Sequence, residues 1–393
     1  MDATELNLRH LRLLLVVVET GSVTQASLAC NISQPAATQA LRKLEEKFGT
    51  ALFDRNRNGL FATPLGTLLA ARARRALDLL DSATTTLAPR LTLTATTAKL
   101  RALVAVAQAE NFSIAARRLG IAQPTVHRAI SQLEGEIGRA LFKRTQYGTA
   151  PTRAGQLLAG AAQLAFAELA QARMELADAM GRGTMHLTVG GLPLSRSYIL
   201  PSTIAKYQAT HPRVSVKVLE GPYETLLAGL RRGEIDFLFG ALREPPPVDD
   251  IEQTHLFDDE LVIVSGPDHP LARQSTPDLV EAATCHWVVG IPGTPVRDHF
   301  DAFIAAIGTD GPPHLVETSS MILMRELLHA GSYLGCISRR QVEAEIRSGL
   351  MVPLPFRLDE GRRRIGITTR ANWQPTRTQA DFLTIVRADF SEG

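Results

Sequence analysis

Two sets of side chains in this sequence are equipped to read hydrogen-bond donors and acceptors displayed on a negatively charged surface. The first is Ser33, Gln34, Pro35, Thr38, Gln39 and Arg42, followed by Arg55 and Arg57. The second is Gln123, Pro124, Thr125, His127, Arg128 and Ser131, followed by Lys143 and Arg144. A carboxamide offers a donor and an acceptor together and can bond a base edge or a phosphate, and a guanidinium can bind guanine or phosphate according to its reach. His127 is the weakest member, because an exposed histidine often does nothing specific.

These sets are two occurrences of one pattern. Ala26 to Gly66 shifted by 89 positions falls on Ala115 to Gly155 without a gap. Gln34-Pro35 lands on Gln123-Pro124, Leu44-Glu45 on Leu133-Glu134, Gly49 on Gly138, Leu52-Phe53 on Leu141-Phe142, Arg55 on Arg144, Gly59 on Gly148 and Thr63 on Thr152.

The elements that position them can be read from the spacing. In the first copy Thr24 to Ala29 predicts a short helix, Cys30 to Ile32 a turn, and Ser33 an N-cap with proline in the first turn behind it. Ala37, Leu41, Leu44 and Phe48 recur at helical spacing and face inward, as do Val126, Ile130, Leu133 and Ile137 in the second. That is a helix-turn-helix, whose second helix offers its N-terminal residues to the major groove. Leu52 to Arg55 and Leu141 to Arg144 then predict strands. Asn58-Gly59 and Tyr147-Gly148 follow as hairpin turns, since glycine tolerates positive φ, and the pattern is a two-stranded wing. Arg55, Arg57, Lys143 and Arg144 would lie along the sugar-phosphate backbone or in a minor groove. Ordinary core helices with a solvated basic rim would explain neither the repeat nor the wing arginine.

Leu8 to Val18 and Leu100 to Ala107 predict opening helices. Thr63 and Thr152 cap helices Pro64 to Leu80 and Arg153 to Met180. Ser82, Thr84 to Thr86 and Pro89 read as a linker. Leu157, Leu164, Leu169, Met174 and Leu176 offer the longer helix a seam for a partner helix, and Gly181 to Gly183 ends it.

The chain has 393 residues, 45% of them hydrophobic, and a net charge of +2. Residues 1–182 hold 22 Lys and Arg against 14 Asp and Glu, and residues 183–393 hold 20 against 26. A basic half attracts polyanions by counterion release and an acidic half does not. The polar, acidic opening Met1 to Arg9 is not a secretion signal and no eighteen-residue apolar run occurs, so the expected location is cytoplasmic. Cys30, Cys285 and Cys336 lack disulfide or zinc spacing and read as small buried hydrophobes, with a redox pair Cys285/Cys336 as the alternative. No metal or cofactor is expected.

From Met185 the pattern changes to strands alternating with helices, which predicts parallel sheets with crossover helices. The acidic half is long enough for two subdomains around a cleft. The chain is expected to cross at about Gly266-Pro267 and return at about Val352 to Pro355.

The whole chain resembles the LysR-type bacterial transcriptional regulators. The resembling residues are Ser33 to Pro35, Leu41 to Glu45, Leu52 to Arg55, Thr63 to Gly66, Leu187 to Gly190 with Leu200-Pro201, Leu230 to Asp236 and Asp268 to Leu271. The family has one winged helix-turn-helix, a linker helix and an effector domain shaped like a periplasmic binding protein. This chain departs by carrying a second DNA-binding copy, and by having Thr38-Gln39 and His127-Arg128 where the family often has serine then arginine.

The expected fold is therefore two all-α winged helix-turn-helix N-terminal domains and an α/β two-lobed effector domain resembling periplasmic binding proteins. The boundaries are 1–89 for the first head with its trailing helix, 90–152 for the second, 153–182 for a linker and dimerisation helix, and 183–393 for the effector domain. Its lobe I comprises 183–266 and 352–393, and its lobe II 267–351. Ligands of α/β folds sit at strand C-terminal ends and helix N-termini. This nominates Ser195, Arg196, Ser197, Tyr223, Thr294, Arg297, Ser319 and Ser320, and the resemblance implies a small organic acid as effector.

The resemblance further implies operator double-stranded DNA, a homodimer or higher homo-oligomer and RNA polymerase as partners. It also implies pairing of the Thr152 to Met180 helix between chains, with Leu164 and Leu169 in the seam. A solute-binding component of a transport system is the runner-up, and it lacks a reason for the basic repeat. An enzyme would need a nucleophile beside a base, a metal cluster or a phosphate loop, and Gly290 to Gly293 is no phosphate loop.

Overall fold

The computed structural model describes residues 6–56, 59–146, 148–183, 185–308, 311–358 and 362–390. Arg57 and the turn residues Asn58 and Tyr147 lie outside the described residues. The chain divides into two compact units, Met1–Met185 with Arg231–Glu234, and His186–Leu230 with Ile235–Gly393.

In the first unit, α1 (Leu8–Thr20), α2 (Val23–Ala29), α3 (Gln34–Phe48), a hairpin of β1 (Phe53–Asn56) and β2 (Gly59–Ala62), and the long α4 (Pro64–Leu87) follow in order. A single turn, α5 (Leu91–Thr94), leads to the second set. That set is α6 (Thr97–Ala109), α7 (Phe112–Leu119), α8 (Gln123–Ile137), a hairpin of β3 (Phe142–Thr145) and β4 (Gly148–Pro151), and α9 (Arg153–Ala179).

The same contacts build both copies. Thr63 Oγ1 accepts from Gly66 N at 3.0 Å and Thr152 Oγ1 from Gly155 N at 3.2 Å, so each threonine satisfies a free amide of a first helical turn. Ser33 caps α3 through Ala36 N at 3.4 Å, whereas Ala122 stands at that position before α8 and gives no side-chain cap. Glu45 accepts from Leu52 N at 2.9 Å and Glu134 from Leu141 N at 2.7 Å, pinning the entry of each wing to its recognition helix. Gly66 and Gly155 let the next helix approach that entry. A Cβ there would stand 2.0 Å from Leu52 O and 2.1 Å from Leu141 O.

Two expectations are corrected. Ser82 and Thr84 to Thr86 form no linker, because α4 continues to Leu87 and buries Thr84. The low helix propensity of this stretch is overridden by packing. In addition, Leu169 is buried inside one chain, because α9 lies against α4 in the most extensive helix pairing among the described residues. The tandem copy supplies the partner helix. Buried residues of both copies join a single apolar cluster running from Leu6 to Leu176.

The second unit begins with β5 (Met185–Gly191), a π-helical turn Ser195–Ile199, α10 (Leu200–Thr210), β6 (Val214–Leu219), α11 (Tyr223–Arg231), β7 (Phe237–Ala241) and β8 (Ile251–Ser265). It continues with α12 (Leu279–Thr284), β9 (His286–Val289), α13 (Pro295–Ile307), β10 (His314–Glu317), α14 (Met321–His329), β11 (Tyr333–Ser338), α15 (Glu343–Arg347), β12 (Val352–Pro353), β13 (Arg362–Arg370) and α16 (Arg377–Phe390).

Strand order is β10-β9-β11-β8-β13-β7-β5-β6. The flanks are parallel, β9 with β10 and β11, and β5 with β7. The middle is antiparallel, which corrects the expectation of parallel sheets throughout. β8 pairs with β13 along Ile251 to Glu260 and with β11 along Leu261 to Ser265. The passage between lobes thus falls within β8, ahead of Gly266-Pro267. Asp259, fully buried at this crossing, holds Arg363 at 2.5 Å and accepts from Ser338 Oγ at 2.8 Å. Two crossing strands and β11 are so tied by one carboxylate that has left water, a loss of hydration that the pairing with Arg363 offsets.

Candidate nucleic-acid interface and ligand cleft

The N-terminal ends of α3 and α8 present the reading residues. Ala37, Leu41 and Leu44 bury one face of α3, and Val126, Ile130, Leu133 and Ile137 one face of α8. The opposite faces leave Gln34, Pro35, Thr38, Gln39 and Arg42, and Gln123, Pro124, Thr125, His127, Arg128 and Ser131, exposed together with Ser33. Arg55 on β1 and Lys143 and Arg144 on β3 are exposed on the wings.

The two faces differ in how firmly they are held. In the second, Gln123 Oε1 accepts from Ser113 Oγ at 3.1 Å, and its amide lies 3.4 Å from His127 Nε2. The His127 ring stacks on Phe112, centroids 4.0 Å apart and planes within 4°. In the first, valine stands at the position matching Phe112, and the Thr38 hydroxyl donates to Gln34 O at 3.1 Å. Arg42 pairs with Glu46 at 3.0 Å on an exposed face, an interaction easily exchanged for a phosphate. The second face is therefore preordered by its neighbouring helix, and the first is the more adaptable.

The effector half contains a cleft of about 460 Å³. Five of the eight nominated residues line it: Arg196, Tyr223, Thr294, Ser319 and Ser320. Three do not. Ser195 is fully buried and donates to Leu192 O at 2.7 Å, Ser197 donates to Leu194 O at 3.3 Å, and Arg297 is occupied by Asp301 at 2.7 Å and by Glu317. The π-helical turn directs those two serines to their own backbone, and Arg297 serves to join α13 to β10.

Glu220, Arg243, Gln341 and Arg363, which the sequence pattern did not nominate, also line the cleft. Arg243 follows β7 as Tyr223 follows β6, and that position after a strand was the available signal. Its guanidinium lies 4.6 Å over the Tyr223 ring, and its backbone N and O are clamped by the Gln253 amide at 2.9 Å each. Arg196 pairs with Glu220. Three polar atoms buried at this wall have no hydrogen-bond partner among the described residues: Arg196 Nε, Tyr223 OH and Arg363 Nε. Buried polar atoms are nearly always satisfied, so three donors at one cavity mark a place for an acceptor. Burial pushes the Tyr223 phenol above its ordinary pKa, so at neutral pH it stays protonated and its hydroxyl is available to donate.

Behind the cleft, Asp236 explains the Leu230 to Asp236 motif. It accepts from Thr188 N at 2.8 Å and Gln379 Nε2 at 2.7 Å, while Arg370 donates to Leu230 O and Ile235 O at 2.9 Å each. Burial raises its carboxyl to about 6 against the lowering effect of those partners. Cys336 is fully buried and its thiol is pushed up to about 12, and burial also raises Cys285 and Cys30. No helix among the described residues is long and apolar enough to cross a membrane.

Comparison with known proteins gives three matches that together cover most of the chain. A model described as the LysR substrate binding domain matches residues 181–391, and one described as a bacterial regulatory helix-turn-helix protein of the lysR family matches twice, at 8–67 and 97–156. The transcriptional regulator GalR of Pseudomonas putida is 33% identical over 98% of this chain and 98% of its own. The dual regulator OxyR of Escherichia coli is 29% identical over 72% of this chain and 92% of its own. Among solved structures, a full-length OxyR variant of Pseudomonas aeruginosa is 24% identical, with a TM-score of 0.53 over 74% of this chain and 93% of that one. CbnR, a LysR family transcriptional regulator, is 20% identical, with a TM-score of 0.52 over 75% and 99%. These two likenesses concern the fold.

Proposed function

The chain belongs to the LysR family of bacterial transcriptional regulators, and we propose that both of its winged heads read operator DNA while its cleft takes a small organic acid. It is a DNA-binding, ligand-responsive regulator by family. The proposal assigns base and phosphate contacts to the exposed residues of α3 and α8 and to Arg55, Lys143 and Arg144. Residues 1–89 and 90–152 serve as heads, 153–182 as the linker helix and 183–393 as the effector domain, with RNA polymerase and a further copy of the chain as protein partners.

The observation that carries the ligand reading is the set of three unpartnered buried donors, together with the guanidinium of Arg243, lining one cleft. Arg196, Arg243 and the Tyr223 hydroxyl suit a carboxylate, and the Tyr223 face with its apolar surroundings suits a short carbon skeleton or ring. A thermal-shift screen of the chain against small carboxylates and phenolics tests it. At least one carboxylate should raise the unfolding midpoint, and Arg243→Ala should cut its affinity by about tenfold to a hundredfold, the loss of one charge-assisted hydrogen bond of about 1.5–3 kcal/mol. Stabilisation that Arg243→Ala leaves unchanged would remove the anion from this wall.

A further inference from the structure

The pairing of α4 with α9 is a meeting of equivalents. The shift of 89 positions that superposes the two copies carries α4 onto most of α9, and Leu77 onto Phe166. The contacts run in opposite directions along the two helices. Arg72 Nη1 donates to Gln171 Oε1 at 2.9 Å and to Glu168 at 3.0 Å, its Nε reaches Glu175 at 2.8 Å, and Arg75 reaches Glu168 at 3.0 Å. Arg72 opposite Gln171 and Arg75 opposite Glu168 run α9 antiparallel to α4, and the same pairing carried along both helices sets Leu77 opposite Phe166, which are counterparts. Two equivalent helices crossing antiparallel at equivalent residues is the arrangement of a two-fold homodimer interface. Here both halves belong to one chain, and Leu69, Ala73, Leu77, Phe166, Leu169 and Ala172 are buried without a second one.

The polar part of the seam does not obey that symmetry. Counterparts of Arg72 and Arg75 on α9 are Ala161 and Leu164. Counterparts of Glu168, Gln171 and Glu175 on α4 are Leu79, Ser82 and Thr86. Pairing α4 with another chain's α4 would set Arg72 opposite Ser82 and Thr86 in place of Gln171 and Glu175, with no carboxylate at either position. Pairing α9 with another α9 would bury Glu168 and Glu175 opposite Ala161 and Leu164, with no cation. A buried charge without its partner is strongly unfavourable, so the sequence specifies α4 against α9 and rejects each helix against its own kind. The linkage within one chain adds a high effective concentration to that choice.

We propose that the N-terminal half is a dimer made of one chain, in which the α4 and α9 seam locks two reading heads about a pseudo-two-fold axis. A single chain then addresses a pair of inverted half-sites, because operator symmetry mirrors the symmetry of the heads. The DNA part of this inference rests on the reading that both heads bind DNA, whereas the pairing of the helices does not.

The test separates the two. Ser82 and Ala161 are the counterparts of the opposed pair Arg72 and Gln171, lie at the accessible end of the seam and take no part in the ion cluster. One preparation of the full chain carries Ser82→Cys and Ala161→Cys together. In another, a chain with Ser82→Cys and a differently tagged chain with Ala161→Cys are produced in the same cells. Both are treated with a short bismaleimide, and the joined peptides are identified by mass. The double variant should give a cross-link at the mass of one chain, and the split pair should give no covalent heterodimer above the wild-type background. A heterodimer joined at residues 82 and 161, or no cross-link in the double variant, would overturn pairing within one chain. No DNA enters this experiment, so a head that fails to read DNA leaves its result unchanged.

Discussion

Asp236 has the sharpest consequence of any single residue, because the carboxylate that closes the Leu230 to Asp236 motif is held where its charge is disfavoured. Its ordinary carboxyl pKa of 3.8 is raised to about 6, foremost by burial and against the pull of the Thr188 amide, Arg370 and Gln379. A raised pKa means that the folded state binds this proton more tightly than the unfolded one. Its contribution to stability is therefore complete below 3.8 and is withdrawn as pH rises through about 6. At about 1.4 kcal/mol per pH unit the withdrawal amounts to roughly 3 kcal/mol. The unfolding free energy of the wild type minus that of Asp236→Asn should fall by about this much between roughly pH 4 and pH 7 in denaturant titrations. A difference that stays flat across that range would mean that the carboxyl is not perturbed. At the same scale, Ser195, Ser197 and Arg297 were nominated because they sit where ligands of α/β folds sit. Nothing in the sequence says that a serine will turn to its own backbone or that an arginine will be taken by Asp301 and Glu317, since those choices depend on which strand returns alongside.

At the scale of elements, the helix-turn-helix units were legible because each is specified locally: Ser33 and Thr63 as caps, four inward apolar residues per recognition helix, and a glycine at each wing. The glycines of α4, α8 and α9 show how the same residue type serves opposite ends. Gly155 lies against Leu141 O, where an added Cβ would come within 2.1 Å of backbone, whereas Gly135 on the exposed face of α8 has nothing within 4 Å. Gly155→Ala should cost about 1–3 kcal/mol, because the backbone of the wing must move. Gly135→Ala should instead stabilise by about 0.5–1 kcal/mol, through helix propensity alone. Opposite signs in thermal unfolding are the expected outcome, and equal effects would contradict the packing described. The antiparallel centre of the effector sheet was not legible in the same way. Ile251 to Glu260 is rich in acids and partners β13, about a hundred residues later, so its direction depends on a contact that local periodicity does not encode. The end of α4 was hidden for the matching reason, since the helix continues through a stretch in which Thr84 is buried while Thr85 and Thr86 stay exposed, and local propensity does not encode that burial.

At the scale of the whole molecule, duplication changes what one chain can do. The family architecture supplies a head, a linker helix and an effector domain, and this chain adds a second head whose recognition face is differently held, preordered by Phe112 and Ser113 where the first is open. Two heads on one chain raise the effective concentration of the second contact, so a weaker head still adds affinity and lengthens the site that is read. A head that had lost DNA binding would leave only a scaffold for the seam. Footprinting of the full chain on duplexes that it enriches from a random pool decides between these most directly. With both heads reading DNA, the wild type protects major-groove segments spaced by a helical turn of about 10–10.5 base pairs or a multiple of it. Gln34→Ala with Arg42→Ala erases one set of segments, and Gln123→Ala with Arg128→Ala erases the other. A footprint that either double substitution leaves unchanged in length and strength would contradict this, because the head so altered would not be reading DNA.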